Sequence, residues 1–220
     1  PEASLERYRD FHADWEAKLA AEADELHRLA PDLILADVPY LPLAAAAEAG
    51  LPAAALCSLN LADILRGYCG DQPGAAPILA QMEAAYQQAA VFLQPAPHMP
   101  MAFLDNAHPI GPIAPTAEAR RPELEAALGV AAGTAVGLVS LGGIPFELDL
   151  SRWPLRGERH WVVNGTPPPR PDMTALADLP LDHTEVLAAC DVVVTKPGYG
   201  TFTEAACNGV DVLYLPRGDW

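Results

Sequence analysis

The stretch Asp191–Pro216 constrains this chain more than any other. It reads Asp-Val-Val-Val-Thr-Lys-Pro-Gly-Tyr-Gly-Thr-Phe-Thr-Glu-Ala-Ala-Cys-Asn-Gly-Val-Asp-Val-Leu-Tyr-Leu-Pro. Val192–Val194 is a β-branched run of the kind that fills a buried strand. Lys196-Pro197-Gly198-Tyr199-Gly200 extends neither a strand nor a helix, so it reads as a turn. Thr201-Phe202-Thr203-Glu204 has the spacing of a capping box and predicts a helix starting at Thr201. Gly209 ends that helix in the usual C-terminal position. Val212–Leu215 is a second apolar strand. Strand, turn, helix and strand make a βαβ unit, whose strands run parallel. Parallel sheets need helices on their faces, which makes the chain α/β.

That unit has a chemical use. Its turn lies at the carboxyl end of a parallel strand, where open α/β sheets bind ligands. The unpaired N–H groups of the first helical turn, with the helix dipole, suit an anion such as a diphosphate. Gly198 and Gly200 lack a Cβ and let a ligand approach the main chain. Glu204, one turn in, can accept hydrogen bonds from two vicinal hydroxyls, as on a ribose. The alternative is that Glu204 serves only the capping box, and the residues alone leave both open.

Composition narrows the partners. The chain has 220 residues, enough for one large or two small domains, and 51% are hydrophobic, which argues against disorder. With 29 acidic against 13 basic residues, its net charge of −16 argues against a nucleic-acid partner. Main-chain N–H groups still bind a small anion without net positive charge. Cys57, Cys69, Cys190 and Cys207 form no Cys-x-x-Cys pair, and the histidines show no zinc spacing. Buried reduced thiols are expected. With no leader-like segment and no apolar run long enough for a bilayer, a cytoplasmic protein without a transmembrane segment is expected.

In chain order, residues 5–29 read as one amphipathic helix with Phe11, Trp15, Leu19, Ala23 and Leu26 on its apolar face. His12 and His27 within it read as surface or packing residues. Strand 33–36, a helix over 41–49 capped by Gly50, and strand 53–56 form another βαβ unit. Asp37 stands at the end of the first strand, and Ser58 and Asn60 at the end of the second, positions that line ligand sites in open sheets. Asp37 and Asn60 serve equally well as helix caps. A helix follows over 78–90, with Tyr68, Met82 and Tyr86 read as core, then a strand over 91–93. Six prolines between Pro95 and Pro115 forbid regular structure and mark an interdomain passage, with Ile110–Ile113 as a last strand of the first domain. Beyond it, helix 123–128, strand 135–139, the glycine turn Ser140-Leu141-Gly142-Gly143, strand 160–163, an irregular stretch 166–180 and helix 183–189 lead into the βαβ unit above.

Two glycine turns in one domain, behind another α/β domain, suggest a two-domain nucleotide-sugar transferase. Lys196-Pro197-Gly198-Tyr199-Gly200-Thr201, with Glu204 and Gly209, resembles the donor-binding segment of GT-B glycosyltransferases related to the MurG group. It is similar in particular to the glycosyltransferase-like region of plant arabinokinases and to free-standing bacterial relatives. Residues 32–52, ending in Ala-Gly-Leu-Pro, resemble the first domain of that group, and Ile110-Gly111-Pro112-Ile113 its domain junction. The resemblance implies two Rossmann-like domains, each incomplete in this chain: an acceptor-side domain over 1–113 and a nucleotide-sugar-binding domain over 114–220. It implies that Ser140, Gly142 and Gly143 approach the donor diphosphate. Gly198, Tyr199, Gly200 and Thr201 then bind diphosphate or sugar, Glu204 holds the ribose hydroxyls, and Val163 and Asn164 lie near the base.

The chain departs from that pattern. The resemblance places the family's first strand and its glycine-rich loop, often bearing a functional histidine, ahead of residues 5–29 and the elements that complete the donor-sugar site after Trp220, both outside these 220 residues, so the chain is expected to be a fragment. Asp37 is then the remaining acidic strand-end candidate for a catalytic base. The expected function is transfer of a sugar from a nucleoside-diphosphate sugar to an unknown acceptor. No Asp-x-Asp motif occurs, so the transfer is expected to need neither metal nor cofactor. A non-catalytic nucleotide-sugar sensor on the same fold is the alternative, and an epimerase a third reading.

Overall fold

A computed structural model describes residues 2–142, 148–155 and 157–216. The chain divides into two compact units, the second beginning at Pro112.

The first unit contains helices α1 (Glu2–His12) and α2 (Trp15–Leu29), strand β1 (Ile34–Ala36), α3 (Leu41–Glu48), β2 (Ala53–Leu56), α4 (Leu61–Cys69), α5 (Ala75–Tyr86), β3 (Val91–Pro95) and β4 (Ala107–Ile110). The strands form one parallel sheet in the order β1-β2-β3-β4. Strand β2 is Ala-Ala-Ala-Leu, and small side chains there let α3 and α5 pack closely: Ala45, Ala46, Ala55, Met82, Tyr86 and Phe92 share one core.

Three expectations change in this unit. The helix over 5–29 is two helices, broken at Ala13 and Asp14. The break lets the His12 ring stack on Trp15 and Tyr40, with Nε2 2.8 Å from the Tyr40 hydroxyl. Buried aromatic packing outweighs the propensity that favours one continuous helix. His12 is thus a packing residue, as expected. Tyr68 is 63% exposed, not core. Helix α4 buries Ala62, Leu65 and Cys69, and Tyr68 lies off that stripe. The strand expected over 110–113 is β4, which ends at Ile110.

The second unit contains α6 (Arg121–Leu128), β5 (Ala135–Val139), β6 (Arg159–Val163), β7 (Met173–Ala175), α7 (His183–Ala189), β8 (Val192–Thr195), α8 (Tyr199–Cys207) and β9 (Asp211–Tyr214). All five strands are parallel, in the order β7-β6-β5-β8-β9. The chain winds one way from β5 to β7 and the other way from β8 to β9, the doubly wound arrangement. The β-branched runs explain it. Val136, Leu138 and Val193 pack with Leu124, Leu187 and Ala205 of the helices, while Val139 and Val194 join Trp161 and Leu150 in a separate cluster. Both faces of the central strands are therefore apolar. Strand β7 lies in the stretch read as irregular; at three residues it is too short for its periodicity to show.

The capping box is misplaced in the sequence reading. Helix α8 starts at Tyr199, with Gly198 as its cap residue, so Thr201 lies inside the helix. Thr203 instead turns its hydroxyl back to the Tyr199 and Gly200 carbonyls at 2.9 Å. A capping box does form, between Asp182 and Glu185 at the start of α7. Gly209 has φ +70° and ends α8 as expected.

Candidate functional site

The carboxyl ends of β5, β6 and β8 meet at the point where the winding of the second sheet reverses. Main-chain bonds hold this edge together: Ser140 N–H donates to the Val194 carbonyl at 3.0 Å, and Asn164 N–H to the Val139 carbonyl at 2.8 Å. Ser140 and Asn164 thus continue their strands by one residue. Their side chains meet, with Asn164 Nδ2 donating to Ser140 Oγ at 3.3 Å. The His183 ring adds Nε2 at 3.2 Å from the same hydroxyl. Ser140 is buried among these groups.

Beyond Ser140 the chain turns through Gly142, whose φ of +65° favours glycine. A Cβ placed there would lie 3.8 Å from Cε and 4.0 Å from Nζ of Lys196. Lys196 is itself buried, at 7% exposure. The Lys196 side chain therefore runs alongside the Gly142 turn at the sheet edge. Gly143 lies outside the described residues.

Helix α8 begins next to Lys196. Gly198 is extended there and offers no side chain to cap the first helical turn. A Cβ on Gly198 would meet nothing closer than the Lys196 carbonyl at 3.9 Å, and one on Gly200 nothing within 4 Å. Space therefore lies beside both residues, at the end of the helix where the dipole is positive. Thr201 and Glu204 are half-buried further along, and among the described residues the Glu204 side chain makes no hydrogen bond or ion pair. Phe202 packs on Tyr214 of β9, ring centroids 5.4 Å apart, which fixes the outer side of the helix.

Ser140, Gly142, Asn164, Gly198, Tyr199, Gly200 and Thr201 therefore stand at the carboxyl edge of one sheet, with Glu204 further along α8. Val163 turns its side chain into the apolar cluster with Trp161 and Val194, leaving its main chain at the strand end. The sequence reading gave no role to Lys196 or His183. A signal for His183 was present: a crossover helix of a parallel sheet starts at the carboxyl edge, so the first residue of α7 belongs there.

Asp37 belongs to the first unit, exposed at the end of β1. It does not cap α3, whose cap residue is Tyr40, with no side-chain capping bond. Burial pushes the nearby Cys57 thiol up to about 11, and the Asp37 carboxylate adds to the rise. Asn60 does act as a cap, accepting from Asp63 N–H at 2.7 Å. Beside Asp37, Val38 and Tyr40 join Arg7, Tyr8, Phe11 and Leu61 around a cavity of about 620 Å³. Cys57, Cys69 and Cys190 are buried and Cys207 half-buried, and none of the four is in a disulfide. Among the described residues no three His, Cys, Asp or Glu side chains gather as a metal site, and no helix is long and apolar enough to cross a membrane.

No protein-family profile matches this chain, and no curated protein matches it in sequence. Solved structures do. The glycotransferase of kitacinnamycin is 19% identical, with a TM-score of 0.64 over 100% of this chain and 66% of its own. The chain has a GT-B glycosyltransferase-like fold. The UGT89C1 of Arabidopsis thaliana, solved with UDP-L-rhamnose, is 16% identical, with a TM-score of 0.58 over 96% of this chain and 61% of its own. A protein from Listeria monocytogenes described as a UDP-N-acetylglucosamine 2-epimerase is 13% identical, with a TM-score of 0.56 over 91% of this chain and 61% of its own. The chain thus spans less than two thirds of the length of each of these structures.

Proposed function

We propose that this chain is the donor-binding part of a glycosyltransferase that uses a nucleoside-diphosphate sugar. One observation carries the reading: the uncapped start of α8 lies beside buried Lys196 and the Gly142 turn, at the reversal point of a parallel sheet. A diphosphate there accepts hydrogen bonds from the first N–H groups of α8 and faces the Lys196 ammonium. Sugar transfer leaves the nucleoside diphosphate with an added negative charge, and fixed donors at that position stabilise it as the glycosidic bond breaks. Glu204, further along α8, accepts from the ribose hydroxyls. The Asn164 end of β6 stands near the base.

In this reading the protein's own donors neutralise the diphosphate, without a metal. Asp37, at the carboxyl edge of the other sheet, is the candidate to take the proton of the acceptor hydroxyl. The cavity beside it, walled by Tyr8, Phe11 and Tyr40, suits an acceptor with an apolar body. A second reading, nucleotide-sugar binding without transfer, draws support from the exposed position of Asp37 at the end of β1, outside any buried acid–base pair that the described residues form.

Titration calorimetry with UDP-, GDP- and dTDP-sugars tests the binding. At least one sugar nucleotide is expected to bind, and the absence of binding by all of them refutes the reading. Product analysis then separates transfer, epimerisation and mere binding.

A further inference from the structure

Resting on the nucleotide-sugar reading above, we infer that His183 is a positioning residue that aims the Ser140 hydroxyl at the donor diphosphate. A hydroxyl has one proton and two acceptor positions. Asn164 Nδ2, 3.3 Å away, fills one acceptor position of Ser140 Oγ. His183 Nε2 is 3.2 Å from the same oxygen, and the ring tautomer decides the rest. A bare Nε2 takes the hydroxyl proton and leaves Ser140 nothing to donate. A protonated Nε2 fills the second acceptor position, and the hydroxyl proton then has to find an acceptor elsewhere.

Phosphate oxygens accept and do not donate. A diphosphate at the sheet edge therefore selects the state in which both Asn164 and His183 donate to Ser140, and Ser140 donates to the phosphate. The frame around the three residues is stiff. The main chains of Ser140 and Asn164 are bonded to the neighbouring strands. His183 is the first residue of α7, which is closed by the Asp182–Glu185 capping box. Glu185 is held in turn by Arg120, the residue just before α6, at 3.0 Å. The ring thus approaches Ser140 from a fixed helix end, the preorganisation that a directed hydroxyl donor requires.

The test compares His183→Ala, His183→Gln, Ser140→Ala and the double variant Ser140→Ala/His183→Ala in this chain. Binding of UDP, GDP and dTDP is measured by calorimetry, with a thermal melt of each protein. His183→Ala is expected to weaken the diphosphate that binds by about ten-fold, because the Ser140 hydroxyl is no longer held in the direction of its charge-assisted hydrogen bond to phosphate. His183→Gln keeps a side-chain N–H donor and is expected to recover most of that loss. In the Ser140→Ala background, removing His183 is expected to change affinity less than about two-fold, because the coupled partner is gone. Should His183→Ala lose its melting transition, His183→Leu carries the same comparison. Unchanged affinity in His183→Ala, or an equal loss with and without Ser140, overturns the inference while leaving nucleotide binding intact. Failure of the unaltered chain to bind any of the three diphosphates or their sugars overturns the nucleotide-sugar reading and this inference with it.

Discussion

Replacing Glu204 by Gln separates folding from binding at one position. Glu204 is the sixth residue of α8, beyond the first turn where a negative charge gains much from the helix dipole. Because α8 starts at Tyr199, Glu204 closes no capping box, and among the described residues its side chain has no hydrogen-bond or ion-pair partner. Gln has nearly the same volume and helix propensity, so the stability change is expected to stay within about 0.5 kcal/mol. A carboxylate receiving ribose hydroxyls is different. Hydrogen bonds to a charged group are worth roughly 1.5–3 kcal/mol, and Gln keeps only a neutral acceptor. Affinity for a nucleoside-diphosphate sugar is then expected to fall by about ten-fold or more. Differential scanning fluorimetry reads the first quantity and calorimetry the second. An unchanged melting temperature with unchanged affinity refutes the assignment of Glu204 to the ribose. A melting temperature lower by several degrees refutes the view that Glu204 is structurally idle.

Gly200→Ala is expected to leave stability unchanged or raise it by up to about 1 kcal/mol, since a Cβ there meets nothing and alanine favours the helix; calorimetry should show weaker sugar-nucleotide binding, because the methyl group fills the space beside the helix start. Gly137→Ala is expected to do the reverse. Its Cβ would fall 2.3 Å from Cζ3 of Trp161, and overpacking of this kind costs about 1–3 kcal/mol, visible as a melting temperature lower by several degrees. The Arg170 guanidinium, paired with buried Asp172 at 2.7 Å, holds the Asp172 carboxyl below the usual range against the opposing effect of burial. That pair stabilises the fold fully above the ordinary carboxyl value of about 4, and its contribution fades as pH falls through the lower folded value. Urea midpoints of the unaltered chain and Asp172→Asn should therefore differ at neutral pH and converge in acid; a constant gap refutes the pairing.

Much of the α/β architecture was legible in the chain. Val192–Val194, Ala135–Val139 and Ala53–Leu56 are short apolar runs between glycine and proline signals, and each is a strand. Local chemistry suffices there, because a fully buried parallel strand must be apolar at every position. Gly129, Gly142 and Gly209 hold positive φ angles that the sequence announces through residue type alone. The same local logic failed where a distant contact outweighed it. The helix over 5–29 is broken because His12 stacks against Tyr40, a residue 28 positions away that no periodicity reveals. Thr201 and Glu204 have the spacing of a capping box, yet α8 starts two residues earlier, where the chain leaves β8.

The candidate site divides along the same line. Its glycine turns are local and could be read from Ser140 to Gly142 and from Lys196 to Gly200, though the first residue of α8 could not. Which side chains meet there could not. Ser140, Asn164 and His183 are separated by 24 and 43 positions and come within hydrogen-bond distance through the order of β6, β5 and β8 in the sheet. The burial of Lys196 beside Gly142 likewise follows from strands that are neighbours in space and not in sequence. Sequence by itself determined which segments become strands and where the main chain must turn. Only the tertiary structure decided which residues share the sheet edge, because strand order is set by packing across the whole domain.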